Sequence, residues 1–281
     1  MKNGMIAQDV MKVRKWIRWI LVGIFAAVFL ICGYRLLDYY LESEKQQSQF
    51  QELADMVSQA RPERPTIPAT EPGAEPTEPA PTDPPEPTQP QILQAYAEIS
   101  ALNPDMVGWL TLEGSKINYP VMQSPDRVDH YLYRDFYGNY SSHGCLYARE
   151  LCNVDKPSDN ITIYGHNMKD GSMLAALMNY RSKSFWQNNR YIHFDTLTQY
   201  HTYEVFAVFI TTATRGRGFT YHQFVDAENS AEYDAYVSKC KALSLYDTGI
   251  TPVYGEKLIT LSTCDYSVTN GRFVVVARQV S

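Results

Sequence analysis

The chain has 281 residues, room for one good-sized domain plus additional segments. With a formal net charge of −6, the chain has no basic excess that argues for nucleic-acid binding. Five scattered cysteines (Cys32, Cys145, Cys152, Cys240, Cys264) are too few for a disulfide framework, and none has zinc-like spacing with histidine, so neither a structural metal nor a cofactor is expected. Spacing alone leaves open whether Cys145 and Cys152 pair.

Residues 19–37 are apolar apart from small residues and Arg35, about the roughly 20 residues that a bilayer crossing requires. Lys2, Lys12, Arg14, Lys15 and Arg18 precede this stretch, and Asp38, Glu42 and Glu44 follow it. The positive-inside rule then assigns residues 1–18 to the cytoplasm and everything after the span to the outside. Cys32-Gly33-Tyr34-Arg35 fits a signal-peptidase site poorly, so an uncleaved single-pass signal-anchor is expected. Residues 38–60 carry helical periodicity, with Phe50, Leu53, Val57 and Ala60 on one face, a face open to self-association or to solvent. Eleven prolines then fall within residues 61–90. Such a segment cannot build a core and predicts an extended linker, reaching about 90 Å at full stretch.

From residue 91 the composition turns aromatic and β-branched. A helix is expected over 91–102, ended by Asn103-Pro104. Eight strands are expected over 107–112, 116–121, 144–147, 160–164, 191–195, 201–212, 257–263 and 272–279, with helices over 172–179 and 230–245. This pattern predicts a mainly β domain, a barrel or sandwich, large enough to bury a proper core.

The chemistry concentrates near the C-terminus. Leu258-Ile259-Thr260-Leu261-Ser262-Thr263-Cys264 reads as a strand ending on a thiol, and a second strand begins at Arg272 after the turn signal Asn270-Gly271. Pairing as a hairpin sets Cys264 beside Arg272, and a neighbouring cation favours the thiolate, the reactive form. His166 ends the strand Ile161-Thr162-Ile163-Tyr164, where an imidazole can exchange protons. His193 and His201 sit in or beside strand patterns and read as structural, whereas His130 and His222 fall in polar loops.

Together, Thr260-Leu261-Ser262-Thr263-Cys264, the arginine on the next strand and the upstream Tyr164-Gly165-His166-Asn167-Met168 resemble the sortases, membrane-anchored cysteine transpeptidases of Gram-positive bacteria. His166-Asn167-Met168-Lys169-Asp170-Gly171-Ser172-Met173 and Ile192-His193-Phe194-Asp195-Thr196 are similar to class B members. The resemblance covers residues 91–281 and implies an eight-stranded β-barrel with an N-terminal helix and a helix-bearing insertion before the Cys264 strand. It implies that Cys264 attacks the carbonyl after Thr in a C-terminal sorting signal of a secreted protein, forming a thioacyl-enzyme. His166 would exchange protons with the leaving and incoming amines, and Arg272 would hold substrate and oxyanion. The acceptor would be an amine of a peptidoglycan precursor or of a pilin. Asn167, Ser262 and Thr263 are candidates for shaping the pocket, or ordinary strand and loop residues. An insertion over 212–250 would wall the groove, with Tyr221, Phe224 and Tyr246 as apolar candidates there or in the core.

Two other readings compete. Ser142-His143-Gly144-Cys145 resembles the nucleophile motif of L,D-transpeptidases, peptidoglycan cross-linkers, although Tyr147 stands where that motif carries arginine. A stalked surface-binding module without catalysis would also carry a proline linker and a β domain.

Overall fold

Eight runs of β-branched and aromatic residues become eight strands in the computed structural model, which describes residues 2–60 and 91–281. The linker expected over 61–90 lies outside the described residues. The strands are β1 (Met106–Thr111), β2 (Asn118–Met122), β3 (Leu146–Ala148), β4 (Asn160–Tyr164), β5 (Tyr191–Thr196), β6 (Thr202–Thr212), β7 (Leu258–Asp265) and β8 (Gly271–Gln279). They close into a barrel in the order β1-β2-β3-β4-β7-β8-β6-β5. The β2–β3 and β4–β7 pairs are parallel and the rest antiparallel.

Residues 205–210 of β6 form an unbroken apolar run, as expected of a strand covered on both faces. Beside it, Trp186 of the short helix α3 (Lys183–Asn188) donates from Nε1 to the Val205 carbonyl at 3.0 Å. Helix α4 (Ser230–Leu243) packs against β6 and begins at Asn229, whose side chain caps the Glu232 amide at 3.1 Å. Helix α2 (Gln94–Leu102) is pinned to β5 by Tyr96, which donates from its hydroxyl to buried Asp195 at 2.6 Å.

The helix expected over 172–179 is instead a 3₁₀ helix, Ala175–Arg181, followed by α3, which the sequence reading left out. Leu174, Leu177 and Tyr180 recur every third residue and are all fully buried. That spacing stacks them on one face of a three-residue-per-turn helix, whereas along an α-helix each step of three would drift by about 60°.

Helix α1 runs without a break from Lys2 to Ala60. Its stretch from Trp16 is long and apolar enough to cross a membrane, with Trp19, Phe25 and Phe29 exposed. The chain divides into units Met1–Ser48 and Gln49–Ser281. Within the second, Phe50, Leu53 and Val57 are buried in the core, and the Phe50 ring meets Tyr119 edge-on at 5.0 Å between centroids. The apolar face left open between self-association and solvent is therefore filled by the domain's own core.

Candidate active site

Cys264 stands directly opposite Arg272 in the β7–β8 ladder, with Arg272 Nη1 3.9 Å from the cysteine sulfur. The connecting turn makes this pairing possible. Asn270 adopts a left-handed φ of 52°, and a Cβ on Gly271 would fall 2.3 Å from the Asp265 carbonyl oxygen, so only glycine lets the strands meet there. Asp265 is buried, paired with Arg181 and bonded to the Ser267 amide at 2.7 Å. A second bond of Arg272 Nη1, 2.9 Å to the Gly271 carbonyl, fixes the guanidinium.

His166 reaches the same end of the barrel through the parallel β4–β7 pair. That pair aligns Tyr164 with Ser262, so two residues further on His166 comes level with Cys264. Side chains stitch the two strands beyond their ladder: Thr263 Oγ1 donates to the Gly165 carbonyl at 2.8 Å, and Asn167 Nδ2 donates to the Cys264 carbonyl at 2.9 Å. The imidazole Nε2 lies 2.8 Å from the Leu132 carbonyl, and the Tyr133 ring sits 5.5 Å away. A carbonyl only accepts, so Nε2 carries the proton and Nδ1 is left to exchange one. Burial holds the His166 pKa below its ordinary value, the Leu132 bond opposes that shift, and the charge of His143 adds to it.

One cavity of about 490 Å³ is lined by His166, Cys264 and Arg272 together with Ser262, Thr263 and Tyr221. Residues 212–216 and 218–222 of the insertion form one wall. Tyr221 is held by its hydroxyl, 2.6 Å from Ser262 Oγ. Phe224 and Tyr246 do not line this cavity. Phe224 stacks on Tyr236 with centroids 4.1 Å apart, and Tyr246 donates to the Tyr180 carbonyl at 2.8 Å. The sequence reading placed both as groove candidates, but their aromatic surface is taken up by neighbouring elements. Asn167 does not line the cavity either; its side chain lies behind it, bonded to the Cys264 backbone.

The sequence reading missed Tyr147, Tyr164, Asp129 and His222, which share the lining. Tyr147 donates to Asp129 at 2.7 Å and lies against Tyr164, ring centroids 5.4 Å apart. Tyr164 stands two residues before His166, a position legible in the motif; the others are brought in by tertiary packing. His222 is lowered in pKa by burial and by the charges of Arg149 and Arg272.

Cys145, the alternative nucleophile, is 1% exposed, and burial pushes its thiol well above the ordinary range. Cys152 and Cys240 are buried as well, Cys240 pushed up to about 12, whereas Cys264 is half-buried on the cavity wall. Cys145 and Cys152 are both free thiols. Among the described residues no group of three or more His, Cys, Asp or Glu is placed to hold a metal ion.

A closed barrel carrying a thiol, an imidazole and a guanidinium in one cavity has the groups that cysteine acyl transfer uses. The comparisons with known proteins agree: a sortase domain model matches residues 110–280. A sortase B of Listeria monocytogenes is 34% identical over 188 residues, 66% of this chain and 73% of that protein. A sortase B of Staphylococcus aureus is 24% identical over 257 residues, 91% and 93% of the two chains. The crystal structure of a Bacillus anthracis sortase B superposes with a TM-score of 0.68 at 26% identity, covering 86% of this chain and 99% of that one. The chain belongs to the sortase family, class B, and is a cysteine transpeptidase of that family.

Proposed function

We propose that this sortase cleaves a C-terminal sorting signal after Thr and transfers the secreted protein that carries it to a cell-wall amine. The supporting observation is the shared cavity of Cys264, Arg272 and His166, with thiol and guanidinium paired across one ladder rung. Cys264 passes its thiol proton to His166 Nδ1, the thiolate attacks the Thr carbonyl carbon, and Arg272 stabilises the oxyanion that develops. Collapse breaks the C–N bond, His166 protonates the departing amine, and a thioacyl-enzyme remains. The incoming amine attacks that thioester and gives up a proton to His166. The C–S bond then breaks and the thiolate returns. A peptidoglycan precursor or a pilin lysine supplies an amine of the required kind. The cationic flank before the apolar part of α1 supports a cytoplasmic N-terminus and an extracellular barrel.

The test uses the full-length chain in detergent micelles with a panel of fluorogenic sorting-signal peptides, followed by intact mass. An acyl adduct is expected on wild type and on Cys145→Ala, and none on Cys264→Ala. An adduct carried by Cys145 would overturn this assignment.

A further inference from the structure

The Ser142-His143-Gly144-Cys145 stretch plays no part in the chemistry above, yet His143 is 1% exposed and paired. Its Nε2 lies 3.2 Å from Oδ2 of Asp170, at the tip of the loop that begins on His166. The other oxygen of Asp170 receives the Ser172 amide at 2.9 Å and the Ser172 hydroxyl at 2.6 Å, so both oxygens are oriented. Lys116 Nζ holds the Asp170 carbonyl at 3.1 Å. The loop is closed at its neck by the Leu174 amide on the His166 carbonyl at 2.9 Å and by a bridge between Asn167 and Met173. It is a braced loop with His166 at its root and Asp170 at its tip.

The segment that carries His143 is itself fastened to the backbone that receives the His166 imidazole. Ser141 N donates to the Tyr133 carbonyl and Cys145 N to the Tyr131 carbonyl, both at 3.0 Å. Between them Gly144, at φ +59°, packs so closely that a Cβ there would lie 2.3 Å from the Leu132 carbonyl oxygen. That oxygen is the one bonded to His166 Nε2. Two paths therefore leave His166, one through its ring to Leu132 and one through its loop to Asp170 and His143. Both end on the same stretch of chain.

We propose that His143 and Asp170 are a positioning pair for the transfer reaction: they lock the 166–174 loop onto the 131–145 segment, which keeps His166 Nε2 on the Leu132 carbonyl and Nδ1 free to exchange protons at Cys264. The proposal rests on the reading of His166 as the proton carrier. Neither residue lines the cavity, so the pair acts on the histidine and not on the substrate.

The test compares full-length wild type, Asp170→Asn, His143→Ala and His143→Gln in micelles. It measures kcat and KM on a sorting peptide, melting temperature, and the imidazole ¹⁵N spectrum of His166. A displaced catalytic group costs on the order of tenfold or more in rate. Asp170→Asn and His143→Ala are expected to lose that much kcat, with KM within about twofold and His166 no longer held as one tautomer. His143→Gln keeps an amide donor towards Asp170 and is expected to recover most of the loss. An unchanged kcat, or a loss that follows melting temperature while His166 keeps the wild-type tautomer, would overturn the proposal. Should wild type cleave no peptide, the sorting reading fails, and the His166 spectrum of the variants alone decides the role of the pair.

Discussion

Asn167 donates its side-chain amide to the main-chain carbonyl of Cys264 at 2.9 Å, so the residue following His166 holds the backbone of the cysteine proposed as nucleophile. This bond couples the β4 and β7 ends where their own ladder has stopped. Asn167→Ala is expected to destabilise the fold by about 1 kcal/mol, the usual worth of one hydrogen bond. Its effect on kcat/KM should be larger, roughly tenfold or more, because a small misplacement of the attacking atom is costly. Thermal melts and peptide turnover on the same preparation separate the two.

Arg272 acts through shape as well as charge. Its Nη1 both faces the Cys264 sulfur and donates to the Gly271 carbonyl; a lysine ammonium has donors enough for both, but its flexible stem lacks the planar guanidinium that fixes their direction. Arg272→Lys should retain the fold yet lose on the order of 10²-fold in kcat, as removal of an oxyanion donor does. Turnover near wild type in the lysine variant would show that charge alone suffices.

Acid should weaken the fold through the histidines of the cavity. His166 and His222 are both lowered below their ordinary value, chiefly by burial. Between that ordinary value, about 6.5, and the lower folded values, the unfolded chain binds more protons than the folded one. Stability therefore falls as pH drops through this window and is fully present above it. Melting temperature followed by near-ultraviolet circular dichroism should decline below about pH 6.5, and less steeply in His166→Gln.

Tyr221 and Ser262 share a buried hydroxyl pair at 2.6 Å. Removing one partner leaves the other unsatisfied, at a cost of about 1–3 kcal/mol. Tyr221→Phe and Ser262→Ala should each destabilise by that order, and the double variant by much less than their sum. A double-mutant cycle from denaturant melts measures the coupling.

Much of this architecture was legible. The eight strands lie within a few residues of their expected positions because β-branched and aromatic runs with turn residues between them leave the backbone few options. The Cys264–Arg272 rung could be read from Asn270-Gly271, a turn that sets register. The Leu132 carbonyl on His166 could not, because it is a main-chain atom 34 residues away that carries no side-chain signature. Phe224 and Tyr246 were misplaced for a related reason: an aromatic residue in an insertion reads the same whether it faces a groove or packs against α4 and α3. The burial of Phe50, Leu53 and Val57 was visible as a periodic apolar face, while its partner, Tyr119, lies in a distant strand.

The closed barrel has a consequence for how an extended peptide is recognised. Each of the eight strands has a neighbour on both sides, and over Leu258–Ser262 β7 is laddered to both β4 and β8, so that stretch offers no free edge along which a peptide could be added as a further strand. Recognition then falls to side chains and loop backbone at the barrel mouth. Sequence preference should follow the chemistry of residues 212–222 more closely than that of the sheet.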